Sequence, residues 1–306
     1  MPLDASQLTV RQRAGYFAAN IVLRGFLGLV LMIPYRWRVP FMGWVVSRVA
    51  GPLAGFSKRI RHNLSLTFPD MPEDKIRHLC RAVPDNAGRT LIENYSGAAF
   101  IDRVSAHPPT GPGYAALQEA QAQGKPVFLA SGHFGNYNAY RANLPRYGFE
   151  TGSLYRRMAN PYFNEHYVAS MKQSAPLMFE QGPSGMRGLI KHLKSGGVVA
   201  ILHDLHVHGG SELRFFGQPA VTSLVTAELA LKYGAVIIPC YAIRQPDGLS
   251  FKLEMHAPIP QSDAMTMTQA LNDDLEAMVR EHMEQWFWIH RRWKPWYGLG
   301  REDGGG

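Results

Sequence analysis

His133, Asn138, Arg156 and Asp204 are the side chains whose types and positions suggest chemistry. His133 follows a short apolar run, Val127–Ala130, and the small residues Ser131 and Gly132; a helical-looking segment comes next. Strand, small-residue turn and polar residue at the mouth of a helix make up the place where α/β proteins usually present reactive groups. Imidazole titrates nearest neutral pH, and a helix N-terminus disfavours its charged form, which suits a general base. Asn138 stands five residues on. Helical neighbours are three or four apart, so a contact between the two needs His133 in the turn ahead of the helix. From there Asn138 could accept a hydrogen bond from one ring nitrogen and fix the tautomer. A histidine that only caps its own helix is the competing reading. Arg156 and Asp204 follow two further apolar runs, Thr151–Tyr155 and Gly197–Leu202, on loops expected to open at the same edge as His133.

The elements that would position these residues alternate from about residue 125 onward. Strands are expected at Val127–Ala130, Thr151–Tyr155, Gly197–Leu202, Val236–Ile243 and Leu249–Met255. Helices are expected at Asn136–Tyr147, Pro161–Ser174, Ser184–Ser195, Ser223–Tyr233 and Thr266–Ile289. The runs at Val127 and Gly197 are continuously apolar, the mark of strands covered on both faces. Earlier, the pattern is helical, with one helix over Pro72–Val83, a break at Pro84 and another over Asp85–Phe100. The fold class expected is α/β: a mixed, largely parallel sheet flanked by helices, with a helical membrane-associating N-terminal region. Its parts are an arm over 1–62, a helical subregion over 63–105 and the α/β core over 106–303.

Charge sets the arm apart. Residues 1–62 hold nine basic residues against one acid, Asp4, which equals the net charge of +8 for the whole chain. Such an arm suits nucleic acid or an anionic membrane. The apolar stretches between the charges, IVLRGFLGLVLMIP over Ile21–Pro34 and Val39–Val49 with Trp44, favour the membrane. Arg24 leaves about ten apolar residues before Pro34, fewer than the ~20 of a spanning helix. An anchor lying in the interface, with Trp37 and Trp44 at the polar boundary, is therefore expected; a buried core helix and a tilted crossing are the alternatives. A secretory leader fits poorly, because no small-residue cleavage site follows. Cys80 and Cys240 show no pairing pattern and suit a reducing compartment. The terminal Gly304–Gly306 reads as a frayed or added tail. His203, His206 and His208 lack the ligand set of a structural zinc site, and no metal is expected.

SGHFGNYNAY resembles the H-x4-D/E block of glycerolipid and lipid A acyltransferases. With it come RHNLSLTFP (Arg61–Pro69), DNAGRTLIEN (Asp85–Asn94), YRRMANP (Tyr155–Pro161), RFFGQPAVT (Arg214–Thr222), Ile237-Ile238-Pro239 and WFWIHRRWK (Trp286–Lys294). In that order they resemble the lauroyl and myristoyl acyltransferases of lipid A biosynthesis over nearly the whole chain. The resemblance implies transfer of a fatty acyl chain from acyl carrier protein to a hydroxyl of a lipid A precursor, at the cytoplasmic face of a bacterial inner membrane. No cofactor is implied beyond acyl carrier protein as carrier of the co-substrate, and no nucleic acid. His133 corresponds to the family's base, Arg156 to an arginine that contacts phosphate or the developing oxyanion, and Asn160 to the asparagine before proline. Backbone amides of Gly132–Gly135 would help hold the oxyanion. Asp204 would bind sugar hydroxyls or the phosphopantetheine arm, or support a neighbouring loop. Arg214 and Phe216 would belong to the substrate-site floor, and the tryptophans of Trp286–Trp296 to an interfacial belt or phosphate clamp. Asn138 replaces the family's acidic residue, which implies an inactivating substitution, a natural variant that is slow or uses another carboxylate, or a silent lipid-binding relative. An aminolipid or glycolipid is the alternative acceptor.

Overall fold

β1 (Val127–Ser131) is apolar and buried along its whole length, as the middle of a sheet covered on both faces requires. The structure, a computed structural model, describes residues 8–294; Trp296, Asp4 and Gly304–Gly306 lie outside them. In chain order the helices are α1 (Val10–Leu31), α2 (Tyr35–Val45), a π-helical turn at Val46–Ala50, α3 (Gly51–Leu53), α4 (Phe56–Thr67), α5 (Glu73–Asn94), α6 (Ala98–Val104), α7 (Pro112–Ala122) and α8 (Ala139–Asn143). They continue with α9 (Pro161–Ser174), α10 (Pro183–Lys194), α11 (Val225–Tyr233) and α12 (Ala264–Glu281). The remaining strands are β2 (Thr151–Tyr155), β3 (Met178–Glu180), β4 (Val198–Leu202), β5 (Ser211–Phe215), β6 (Gln218–Thr222), β7 (Val236–Arg244) and β8 (Phe251–Met255).

The main sheet has six strands in the order β3-β2-β4-β1-β7-β8. Pairings from β3 through β7 are parallel, and β8 runs antiparallel on β7. The expected α/β class therefore holds, as do the five expected strands to within two residues at either end. The hairpin β5–β6 and the short edge strand β3 were not expected. Their side chains alternate or are half-exposed, so they lack the continuous apolar signal of the central strands.

Two departures from expectation have physical causes. α5 runs unbroken through Pro84, although proline removes one helical hydrogen bond. The Ser47 hydroxyl donates to the Arg81 carbonyl at 2.8 Å, capping backbone next to the interruption. α2 packs closely on that helix, because Gly43 of α2 and Gly88 of α5 lie at their contact: a Cβ on Gly88 would lie 2.4 Å from the Met42 carbonyl oxygen. α12 stops at Glu281, and the chain after it pairs with the loop that carries His133. The Gly135 amide donates to the Gln285 carbonyl and the Phe287 amide to the His133 carbonyl. A helix continuing to Ile289 would forfeit both bonds.

α1 is longer than the sequence suggested. Thr9 forms a capping box with Gln12, and the helix then runs 22 residues, roughly 33 Å at 1.5 Å per residue. By length and composition it can cross a bilayer core, and only 17% of its most apolar window is buried. Phe17, Ile21, Val22, Leu29 and Met32 are exposed along it. The Asn160 side-chain amide donates to the Tyr16 carbonyl at 2.8 Å and ties this helix to α9. Leu27 and Val30, near its end, join the core that also contains β1 and β7.

Candidate active site

β1 and β4 are parallel neighbours in which Ser131 lies opposite Leu202. His133 and Asp204 each stand two residues beyond those partners, so the register itself brings them side by side. The Asp204 carboxylate accepts from the His133 ring Nδ1 at 2.8 Å and from the His133 backbone amide at 2.7 Å. The Trp286 indole N–H donates to the same carboxylate at 2.9 Å. The aspartate side chain is fully buried, whereas the histidine is 19% exposed at the mouth of the site. Burial alone would raise the Asp204 pKa, but the charge on His133 and three converging hydrogen bonds outweigh it, so the carboxyl is held well below the usual range. A carboxylate accepts only, so Nδ1 of His133 is the donor and the lone pair is on Nε2.

Asn138 is not the partner of His133. Its side-chain oxygen accepts from Arg141 at 2.8 Å, and its amide nitrogen points to the Met171 sulfur. Arg141 is buried and also donates to the Ala175 carbonyl. The reason lies in the loop. Gly135 has φ 53°, Asn136 turns inward to Glu93, and the helix begins only at Ala139, so the chain swings Asn138 away. For the same reason the helix-dipole reading of His133 fails: α8 is five residues long and lies well ahead in the chain.

The loop is clamped from behind. Thr90 donates to the Gly135 carbonyl at 2.9 Å, and Asn86 donates to the carbonyls of Gly135 and Gln285. Glu93 accepts from Asn136 at 2.9 Å and from Arg244 at 2.8 Å, and the arginine also donates to Asn86. Asn86, Thr90 and Glu93 recur at helical spacing on one face of α5. That polar stripe inside DNAGRTLIEN was the available signal for a support of the site, and it was missed. Gly135 cannot be replaced in place, because a Cβ there would lie 1.8 Å from the Ala242 carbonyl oxygen. A Cβ on Gly132 would meet Leu275 and, at 3.0 Å, an oxygen of Asp204.

Three of the four expected oxyanion donors in this loop are already engaged. The amides of His133, Phe134 and Gly135 donate to Asp204, Gly132 and Gln285 respectively. Asn160 caps α9 by accepting from Tyr162 and Phe163 and spends its amide on Tyr16, so it holds the arm and is not free for substrate. Arg214 is exposed on the β5–β6 hairpin and turned to the Gly217 carbonyl. Phe216, with φ 52°, is buried against Phe215, Trp286 and Trp288. Trp286, Trp288 and Trp293 are themselves fully buried, so they form core and not an interfacial belt. Arg156 is exposed and follows β2, two strand spacings from β1, about 10 Å away at that edge.

His290 was also missed. Its ring stands edge-on to His133, with centroids 4.4 Å apart, and its Nε2 is buried with no hydrogen-bond partner. Burial, then the adjacent His133 charge, lowers its pKa to about 3. His133, Asp204 and His290 are also the group among the described residues with metal-ligand spacing, their donor atoms within 4.8 Å. Both oxygens of the aspartate are accepting hydrogen bonds, however. Of the three histidines near Asp204, His203 turns to the Leu271 carbonyl while His206 and His208 touch each other.

A neutral buried histidine has a consequence for acid stability. The unfolded chain takes up the His290 proton near pH 6.5, and the folded chain only near 3. Between those values the unfolded state binds more protons, so stability falls with pH by up to ~1.4 kcal/mol per unit. His203, buried and lowered likewise, adds to the effect, while Asp204 contributes only beneath the ordinary carboxylate range. His290→Gln is expected to flatten the decline in thermal midpoint between about pH 6.5 and pH 4.5. An unchanged slope would show that His290 takes up its proton at an ordinary pH in the folded chain.

The model of the family described as bacterial lipid A biosynthesis acyltransferase matches residues 6–295. The chain belongs to this family. It is 29% identical over 286 residues to the lipid A biosynthesis lauroyltransferase of Escherichia coli (strain K12), covering 88% of this chain and 89% of that protein. The lipid A biosynthesis palmitoleoyltransferase of the same strain is 25% identical over the same shares. A phosphatidylinositol mannoside acyltransferase of Mycobacterium tuberculosis (strain CDC 1551 / Oshkosh) is 26% identical over 58% of this chain and 57% of that protein. For an acyltransferase of this family, a histidine held by a buried carboxylate at the strand edge is the arrangement that general-base chemistry needs.

Proposed function

We propose that this acyltransferase moves a fatty acyl group from the thioester of acyl carrier protein to a hydroxyl of a lipid A precursor, with His133 as general base oriented by Asp204. The buried 2.8 Å pair between their side chains carries this reading. The hydroxyl gives its proton to Nε2 of His133 as its oxygen attacks the thioester carbon. The imidazolium that forms faces an ionised Asp204, which stabilises it. Collapse of the tetrahedral intermediate breaks the carbon–sulfur bond, and the leaving thiolate takes the proton back from Nε2. No covalent acyl-enzyme is required.

With the amides of His133, Phe134 and Gly135 engaged, Arg156, exposed at this edge, is the cation assigned to the oxyanion or an acceptor phosphate. The acceptor follows from the names of the longest matches; the mannoside relative favours a glycolipid as the second reading. Asn138 takes no part in proton transfer, so the substitution that suggested a silent relative does not silence the site. Purified protein assayed with acyl-loaded carrier protein and a lipid A precursor tests this, with Asn138→Asp beside it. Asn138→Asp is expected to bring no gain in rate, because the new carboxylate would pair with Arg141. A gain of orders of magnitude would return Asn138 to the role of partner.

The reaction would take place at the cytoplasmic face of the inner membrane, with α1 embedded. Removal of residues 1–33 is expected to shift most of the protein from sedimenting membranes to the supernatant. A truncated protein that still sediments would place the attachment elsewhere.

A further inference from the structure

A second site lies away from the dyad, where the arm meets α5. A cavity of about 310 Å³ there is lined by Arg48, Arg61, Arg77 and Arg81, with Ser47 and Ser57, and no carboxylate lines it. Arg61 is paired with Glu73, outside the lining. Arg48, Arg77 and Arg81 have no carboxylate partner among the described residues. Arg48 and Arg81 stand in no ion pair among them, Arg77 shares the field of Glu73, and guanidinium groups gathered around one small concavity in this way suit an oxyanion that can accept from several at once. The stretch that brings Arg48 also carries exposed apolar side chains on either side of it: Trp44 before, and Val49 and Leu53 after, Leu53 being 86% exposed. Arginines set beside aromatic and aliphatic side chains left in the open match the depth at which a bilayer presents its phosphates above its acyl chains.

We propose that this cavity binds the phosphate of an anionic lipid headgroup, as a docking site separate from the site of acyl transfer. The proposal rests on the reading that the arm lies against a membrane. An adjoining cavity of about 720 Å³ shares Arg48 and Arg81, is also lined by Asp85, which pairs with Arg89, and by Glu284, and extends to Asn86 and Gln285, which hold the Gly135 carbonyl and amide. A headgroup seated at the arginines would thus lie on the far side of the loop that carries His133, and would fix how that loop faces the bilayer.

The test uses the full chain in a non-ionic detergent and calorimetric titration with monomeric dihexanoyl phosphatidate, dihexanoyl phosphatidylcholine and inorganic phosphate. The phosphatidate is expected to bind more tightly than either of the others. Arg48→Gln with Arg81→Gln is expected to weaken it by about tenfold or more, the loss of charge-assisted hydrogen bonds. Arg77→Gln alone, on an exposed position, is expected to weaken it less and serves if the double variant does not fold. Arg11→Gln with Arg13→Gln, at the far end of α1, and His133→Ala are expected to bind as the parent does. Equal weakening in the Arg11 and Arg13 variant would mean diffuse charge and overturn the site. Loss in His133→Ala would mean that the ligand sits at the dyad. Inorganic phosphate bound as tightly as phosphatidate would overturn the lipid assignment, as would loss of acyl carrier protein binding in the cavity variant with phosphatidate binding intact. Flotation with phosphatidylcholine vesicles, with and without phosphatidylglycerol, separates the two readings. A chain that fails to float yet binds phosphatidate through the arginines refutes the membrane reading and leaves the site standing.

Discussion

Asp204→Asn is expected to lower the rate of acyl transfer about ten-thousandfold, the effect of the same change in a serine-protease triad. The substitution keeps size and shape, and the asparagine oxygen can still accept from either the His133 amide or Trp286. What it removes is the charge facing the imidazolium and the certainty that Nδ1 carries the proton. An amide nitrogen presented to the ring would turn it to the tautomer in which Nε2 is protonated and useless as a base. Thermal melting should remain cooperative and binding of lipid acceptor unchanged, so the loss falls on turnover. A rate within about tenfold of the parent would mean that the pair is structural.

Arg244→Ala should be the most destabilising single change in the support of the site. Arg244 and Glu93 form a buried pair, with side chains 7% and 0% exposed. Removing one partner leaves an uncompensated buried charge, at a cost of about 3–5 kcal/mol. Against a total stability of about 5–15 kcal/mol, that is enough to deplete folded protein. Arg244→Met combined with Glu93→Leu should cost less than Arg244→Ala alone, since no charge is then stranded. Chemical denaturation of the three proteins decides it; a double variant less stable than the single would mean that the hydrogen bonds of Glu93 to Asn136 dominate over its charge.

The strands that end at the site were legible because their runs are continuously apolar, and Thr151–Tyr155 and Pro161–Ser174 coincide with the elements found. His133 and Asp204 were each visible as polar residues closing such a run. Their partnership was not, because it depends on β1 and β4 being neighbours, and strand order leaves no local trace. Asn138 was misplaced by assuming that a helix begins at Asn136. Gly135 and the inward turn of Asn136 to Glu93, 43 positions earlier in the chain, override that local preference. The tail was misjudged in the same way. Its tryptophans look amphipathic among arginines, yet Arg292 is buried with them by bonds to Val221 and Thr222.

The most direct test of the pair is a double-mutant cycle on the rate of acyl transfer, with the parent, His133→Ala, Asp204→Asn and both together. If Asp204 acts through His133, Asp204→Asn costs about ten-thousandfold in the parent and almost nothing once His133 is alanine. If the two losses multiply instead, Asp204 acts independently of His133, and the pair at the edge of the sheet is not the device that moves the proton.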